Sequence, residues 1–455
     1  MTWANKLGFF LIGAIVVFTT IAYGTVHQPT LAVFYLLVAM VVVLWAVDSL
    51  RSGALRISPS LLPLPLLAAA VYGFVQVIPF GSVTDAAGIE VPRTISLDPF
   101  ATKVSAIHYF ALFLLLSATL VFLDSAKRIR KLTLVIAVFG FVYAFFAILQ
   151  SVLSPLKIYG IYEAGAPFGS FVNRHNFAAY MEMAMALPLG LMFAGAVTRD
   201  KRLLYITVIG LMGVALLLSG SRGGLVAFVA QIIFLTMLTA GFKGRSRLAL
   251  RLGLAALLVV AIVGGAIFVG GETSLTRLAE TAATEDVTTG RSNIWQVTLR
   301  VILANLPFGA GFGAFGVAYT PHDPMSGLER VEQAHNDYLQ VLADAGLVGL
   351  IIGAFFLWQL ILQGRDALLI GNRYRHGIAI GALAGIFAIL VHSIFDFVLH
   401  TTAVSVLFLM LLGLLTASRT AYDDDVEDIP HDRSARRVSG KVSSISSARG
   451  RSRSR

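Results

Sequence analysis

Long apolar runs, each close to 20 residues, follow one another along the chain and are separated by short polar stretches up to about residue 417. A helix of about 20 residues crosses the hydrocarbon core of a bilayer. The apolar positions are continuous rather than alternating, and a backbone in hydrocarbon must satisfy its hydrogen bonds internally, so the pattern predicts helices and not a β-barrel. Twelve spans are expected, at roughly 8–26, 30–48, 61–79, 104–123, 131–152, 174–197, 203–220, 224–241, 248–270, 343–363, 376–396 and 401–417. An even number places both termini on one side. The expected fold is an all-α polytopic membrane protein with about 12 transmembrane helices and one large outer loop, residues 271–341.

Composition agrees with this class. Hydrophobic residues make up 57% of the 455 positions and charged residues 13%, with a mean hydropathy of +0.81, which excludes a soluble globular chain. Cysteine is absent, so disulfides, thiol catalysis and cysteine-based metal sites are excluded. A formal charge of +10 would suggest nucleic acid in a soluble protein, but here the sign is topological. With the N-terminus in the cytoplasm, 26 of the 35 Lys and Arg residues fall in inner loops and tails. Nine fall outside: Arg93, Lys103, Lys157, Arg174, Arg222, Arg277, Arg291, Arg300 and Arg330. This positive-inside bias puts both termini in the cytoplasm. The first segment has Lys6 and small residues near Ala22 and Gly24, as a signal peptide would, but the length of its run and the closeness of the next favour a retained helix. From Tyr422 onward the chain is acidic and then rich in Ser and Arg, too polar to bury a core. Residues 1–420 are therefore read as the membrane domain and 421–455 as a disordered cytoplasmic tail whose basic end suits anionic lipid headgroups.

The outer side holds the residues with chemistry. The run SGSRGG at 219–224 places Arg222 at the outer end of a long apolar helix, on the side where the chain otherwise avoids positive charge. An arginine there suits an anionic group. In the outer loop, RSNIWQVTLRVILAN at 291–305 puts Ile294, Trp295, Thr298, Val301 and Ile302 on one helical face. That pattern fits an interfacial amphipathic helix and equally the core helix of a small outer domain. Next, Gly311, Gly313 and Gly316 match the dinucleotide GxGxxG spacing, but no strand and helix context surrounds them, so a flexible, close-packing turn is the better reading. The stretch AHNDYLQVLADAGLVGL then places His335, Asn336 and Asp337 where the tenth span begins. Asn336 or Asp337 would serve there as a helix cap, and a helix N-terminus also attracts anions. Topology puts Arg222, Arg291 and His335 on one side, on different segments, where they can converge.

Two further groups carry titratable side chains. Arg174 and His175 open the sixth span, and Glu182 follows seven residues after His175 on the same face. A buried acid is costly unless paired, so Glu182 either serves a site or neutralises a neighbouring cation, with the structural pair preferred. His392, Asp396 and His400 recur every four residues near the outer end of the eleventh span. They can be read as a metal or proton-relay stripe; an Asp396 that fixes His392, with His400 past the helix end, is the simpler account.

Together SGSRGG, the segment carrying Gly290, Arg291, Ile294 and Trp295, the glycine-rich LPFGAGFGAFG and HNDYLQVLADAGLVGL resemble the O-antigen ligase and polymerase superfamily, in order and in spacing. The resemblance implies a GT-C-like helical fold in a bacterial inner membrane. It also implies transfer of a glycan from an undecaprenyl-diphosphate carrier to a glycan, lipid A core or protein acceptor at the periplasmic face, with no metal or other cofactor. Matched motif to motif, Arg222 and Arg291 would contact the diphosphate and His335 would be catalytic; Arg174 and His175 match less closely, with Glu182, Asp337, His392 and Asp396 as supporting candidates.

The residue chemistry suits that role independently. A departing lipid diphosphate gains negative charge, which divalent metal or fixed guanidinium groups can offset. The outer loops hold no DxD-type cluster, so arginine, with its bidentate fork, is the expected agent. Histidine has the range to take a proton from an acceptor hydroxyl. The competing class is a transporter or flippase of lipid-linked sugars, compatible with twelve spans and an intramembrane Glu182, although transporters place charged groups nearer the midplane.

Overall fold

The computed structural model describes residues 2–84, 88–240, 291–324 and 330–420. Thirteen α-helices are described: α1 (Trp3–Ile21), α2 (Gln28–Ser52), α3 (Leu64–Gln76), α4 (Pro99–Phe122), α5 (Ala126–Leu153), α6 (Arg174–Phe193), α7 (Arg202–Leu218), α8 (Arg222–Ala240), α9 (Arg291–Asn305), α10 (Phe315–Tyr319), α11 (Asp337–Ala367), α12 (Arg373–His392) and α13 (Thr402–Thr420). Two small antiparallel hairpins, β1 (Ser82–Thr84) with β2 (Glu90–Pro92) and β3 (Lys157–Ile158) with β4 (Tyr162–Glu163), sit in connecting segments. Nine of the described helices are long and apolar enough to cross a membrane. The chain is a multi-pass membrane protein.

Two of the twelve expected spans differ in kind. The stretch expected at 61–79 forms the 13-residue α3, too short to cross alone. Its last residue, Gln76, is bonded to segments far along the chain. Its Nε2 donates to the carbonyls of Phe308 (3.2 Å) and Asp344 (2.9 Å), and its Oε1 accepts from the Phe312 amide (3.2 Å). The stretch expected at 174–197 forms α6, which is 20 residues long but is not among the nine. The expected span at 248–270, the outer-loop residues 271–290 and the tail from 421 lie outside the described residues.

The reason α6 is less apolar lies in its packing. It is buried on nearly every side, as are α12 and α13, so protein rather than lipid surrounds it. Small residues make this possible. A Cβ at Gly190 of α6 would lie 2.3 Å from the Gly377 carbonyl oxygen and 2.4 Å from the Gly381 Cα, and one at Gly381 would lie 2.6 Å from the Ala186 carbonyl oxygen. Gly377, Gly381 and Gly385 form a four-residue repeat along α12 on which α6 rests, the close backbone approach typical of helices in membranes.

A second apolar cluster surrounds α9. Val297, Val301 and Ile302 pack with Ala310, Phe315, Ala318, Tyr319, Ala334 and Ala343, and Ile294 packs partly against them. Of the two readings of this segment, the packed helix matches better than one lying free at the interface. The glycine-rich turn that follows is held closely: a Cβ at Gly309 would meet the backbone of Ala345 at 2.5 Å, and one at Gly311 would meet Ser96 Oγ at 2.4 Å. Its counterpart is Gly346, where α11 kinks at φ 57°. The Leu347 amide turns away from the helix to donate to the Pro307 carbonyl at 2.9 Å, so the kink leaves no orphan donor. This contact fixes the direction in which the first part of α11 presents the residues before it.

Replacing Gly381 by Leu is expected to force α6 and α12 apart, at a cost of about 3 kcal/mol or more, because the obstruction is backbone rather than a movable side chain. Thermal melting of purified protein in detergent checks this; an unchanged midpoint would contradict the close-contact account.

Candidate functional site

At the end of α12 the chain turns sharply. The His392 carbonyl accepts from the amides of Phe395 (2.8 Å) and Asp396 (3.1 Å), so the helix stops and Asp396 is carried inward on the turn. Its side chain is only 2% exposed. Oδ1 accepts from His335 Nδ1 at 3.1 Å, and Oδ2 accepts from an Arg291 guanidinium nitrogen at 3.0 Å. A second Arg291 nitrogen donates to the Phe395 carbonyl. His175 Nδ1 lies 3.7 Å from Asp396 Oδ2. Burial alone would raise this carboxyl, but the His335 hydrogen bond and the charges of His175, Arg291 and His335 outweigh it and hold it well below the usual carboxylate range. An ionised carboxylate only accepts. His335 Nδ1 is therefore the donor, and in the neutral form of the ring Nε2 is the acceptor.

His335 is placed by unusual backbone. It adopts φ 51°, the left-handed region that a non-glycine residue rarely occupies, immediately before α11. The start of α11 is fastened to the 393–400 turn. Asn336 caps the helix, its Oδ1 accepting from the amides of Tyr338 and Leu339 at 3.0 Å each, while its Nδ2 donates to the Ile394 carbonyl at 2.9 Å. Asp337 accepts from Ser393 Oγ at 2.7 Å and faces His400 Nδ1 at 3.1 Å. The His335 ring meets Phe397 edge to face at 4.8 Å, and 30% of its side chain remains exposed. It is thus oriented from behind yet open in front.

The starts of α6 and α8 form the other wall. Asn173 caps α6 by accepting from the His175 amide at 2.8 Å, with Arg174 as the first helical residue. His175 Nδ1 lies 2.9 Å from Ser221 Oγ, which also accepts from the Gly224 amide at 3.1 Å. Arg222 opens α8 directly after Ser221. Its other neighbour, Gly223, is pressed against the His392 ring and Phe395, where a Cβ would lie 3.0 Å and 3.2 Å away. Arg222 is accordingly flanked by residues that touch the same cluster. The structure therefore brings the segments of Arg174, His175, Arg222, Arg291, His335 and Asp396 to one end of the bundle. Helix N-termini carry partial positive charge, so the ends of α6, α8 and α11 add to that of the guanidinium groups.

His392, Asp396 and His400 neither form a stripe nor pair as the simpler account has it. The helix ends at His392, and each residue takes a different partner. His392 Nδ1 pairs with Glu182 Oε1 at 3.0 Å, both fully buried; Asp396 holds His335 and Arg291; His400, in a short turn at Val398–His400, pairs with Asp337. Asp396 therefore fixes His335, not His392, and Glu182 has its partner in His392. Among the described residues, no group of three His, Asp or Glu side chains is arranged to hold a metal ion. Two contributors, Ser221 and Phe397, were not anticipated. The serine's place beside Arg222 in SGSRGG was the available signal.

Residues 207–354 match the model of the family described as O-antigen ligase. The match spans 148 of the 455 residues, and over that stretch the chain is similar to O-antigen ligases. No curated protein matches the chain. The matched stretch carries Arg222, Arg291 and His335. Asp396, the partner of Arg291 and His335, lies outside it, as do His175 and the pair Glu182 and His392.

His400 supplies a pH test of the fastening. Burial pulls its pKa down, but the hydrogen bond and charge of Asp337, with the charge of Asp344, carry it above the ordinary 6.5. A raised folded-state pKa contributes stability that is full below about 6.5 and fades as pH rises through the folded value. The melting-point difference between the natural protein and His400→Gln should therefore be largest at acidic pH and shrink above neutrality. A difference that grows with pH would reject this pairing.

Proposed function

We propose that this cluster is the transfer site of a membrane glycosyltransferase of the O-antigen ligase or polymerase type. In this reading an oligo- or polysaccharide moves from an undecaprenyl-diphosphate carrier to an acceptor hydroxyl. In this reading the site faces the periplasm of a bacterial inner membrane, with both termini cytoplasmic and one large outer loop. The observation that carries the proposal is the junction at Asp396, which joins Arg291 to His335 beside the turn that bears Arg222.

The chemistry follows from that arrangement. His335 Nε2 accepts the proton of the acceptor hydroxyl as its oxygen attacks the anomeric carbon. The bond from that carbon to the diphosphate oxygen breaks, and the leaving diphosphate keeps the electron pair. Arg222 and Arg291 offset the growing charge, so no divalent metal is required. Arg291 has a double role here, since two of its nitrogens already hold the 395–396 turn. Asp396 supports the base as a carboxylate supports a histidine in hydrolytic triads: it sets the tautomer and stabilises the imidazolium that forms. Direct displacement inverts the anomeric centre. The gathering of these groups at one end of the bundle, rather than at its middle, weighs against transport of lipid-linked sugars.

Glycan transfer in membranes, with protein level controlled, tests the assignment. Replacing Arg222 by Ala should lower transfer by about 10²- to 10³-fold, with Lys restoring only part because the fork is lost. Replacing His335 by Ala should lower it by about 10²- to 10⁴-fold while carrier cross-linking persists. Full activity in His335→Ala, strict dependence on Mg²⁺ or Mn²⁺, or a retained anomeric configuration would each overturn part of this mechanism. The polysaccharide profile of a deletion strain identifies the acceptor: long chains left on carrier indicate a ligase, and single repeats indicate a polymerase.

A further inference from the structure

We infer that the buried pair Glu182 and His392 is a positioning device shared by both walls of the site, one that sets the turn bearing Arg222 and the turn bearing Asp396 against each other. This rests on the roles proposed above for those two residues.

The pair lies between α6 and α12 with neither side chain exposed, and its contact is His392 Nδ1 to Glu182 Oε1 at 3.0 Å. The first turn of α8 sits directly on it. At Gly223 a Cβ would lie 3.0 Å from His392 Cδ2 and 3.1 Å from its Nε2; at Gly224 it would lie 3.0 Å from Glu182 Oε1 and 2.8 Å from the Ala178 Cβ. Two successive glycines thus allow the backbone that follows Arg222 to rest on one partner and then on the other. No larger residue fits without moving the pair. Two turns further along α8, Gln231 Nε2 donates to the Glu182 carbonyl at 3.1 Å, which repeats the attachment.

The opposite wall is held by the same residue. The His392 carbonyl accepts from the amides of Phe395 and Asp396, so the place of His392 on α12 is also the place from which the Asp396 turn starts. A shift of the imidazole to seek another partner would move the seat of α8 and the anchor of Asp396 together. The glycines of SGSRGG are thereby explained by what lies beneath them. Neither member of the pair is placed where it would touch substrate, so both are positioning residues.

The chain has no native cysteine, which makes a direct test clean. Spin labels on Val226→Cys and Ile394→Cys, two exposed positions on α8 and on the turn, report the separation of the walls. The labelled natural background should give one narrow distance distribution. His392→Phe, which keeps ring volume but loses the hydrogen bond, should broaden or shift it and lower transfer by about tenfold or more, mostly in kcat. Glu182→Gln, which keeps an acceptor for His392, should recover part of both. Unchanged distances and rates in both variants would overturn the inference. If His392→Phe fails to accumulate, Gly223→Ala, which leaves the pair intact and presses a methyl on the ring, should shift the distance and slow transfer; natural values in it would overturn the coupling. Loss of activity in Arg222→Ala and His335→Ala, beside natural behaviour of the pair variants, rejects the device alone. Full activity in Arg222→Ala and His335→Ala rejects the proposed transfer site, and the label distances then decide the coupling independently.

Discussion

One buried carboxylate organises the end of the bundle where the chemistry gathers. Asp396 receives Arg291 and His335 and lies beside His175, three residues on segments that have no neighbours in sequence. Removing one partner from a buried ion pair costs about 3–5 kcal/mol, because the other charge is left without compensation. The cluster is therefore expected to hold together as a unit. In the neutral ring the same interaction fixes which nitrogen of His335 carries the proton, so orientation and tautomer arise from a single contact.

A constraint on hydropathy makes this possible. A helix that faces lipid must be apolar over its surface, whereas a helix enclosed by other helices can carry polar groups provided each finds a partner. The glycine repeat of α12 lets α6 approach closely enough to be enclosed, and α6 is the helix that brings His175 and Glu182 to the site. Tight packing and polar chemistry are linked here. The small residues remove lipid from the surroundings, and the polar residues then pair across the gap, as Glu182 does with His392.

The family match divides the cluster in an informative way. Residues 207–354 contain Arg222, Arg291 and His335, while Glu182 comes from α6 before the match and Asp396 from the 393–400 turn after it. The close contacts of Gly309 with α11 and of Gly346 with Pro307 show why the glycine-rich turn and the start of α11 belong to the same stretch: each shapes the other.

Length and apolarity of the runs are properties of each segment alone, and so the membrane class, most helix positions and the gathering of Arg222, Arg291 and His335 on one side could be read from the chain. The place of the short α3 could not, because its last residue, Gln76, is bonded to carbonyls more than two hundred residues away. Nor could the partners of His392, Asp396 and His400. Four-residue spacing suggested one helical face, but the turn after His392 broke that face and sent the three side chains to Glu182, to His335 with Arg291, and to Asp337. Spacing describes neighbours along a single helix. Which carboxylate meets which imidazole is settled by how different helices pack, and that is a property of the tertiary structure alone.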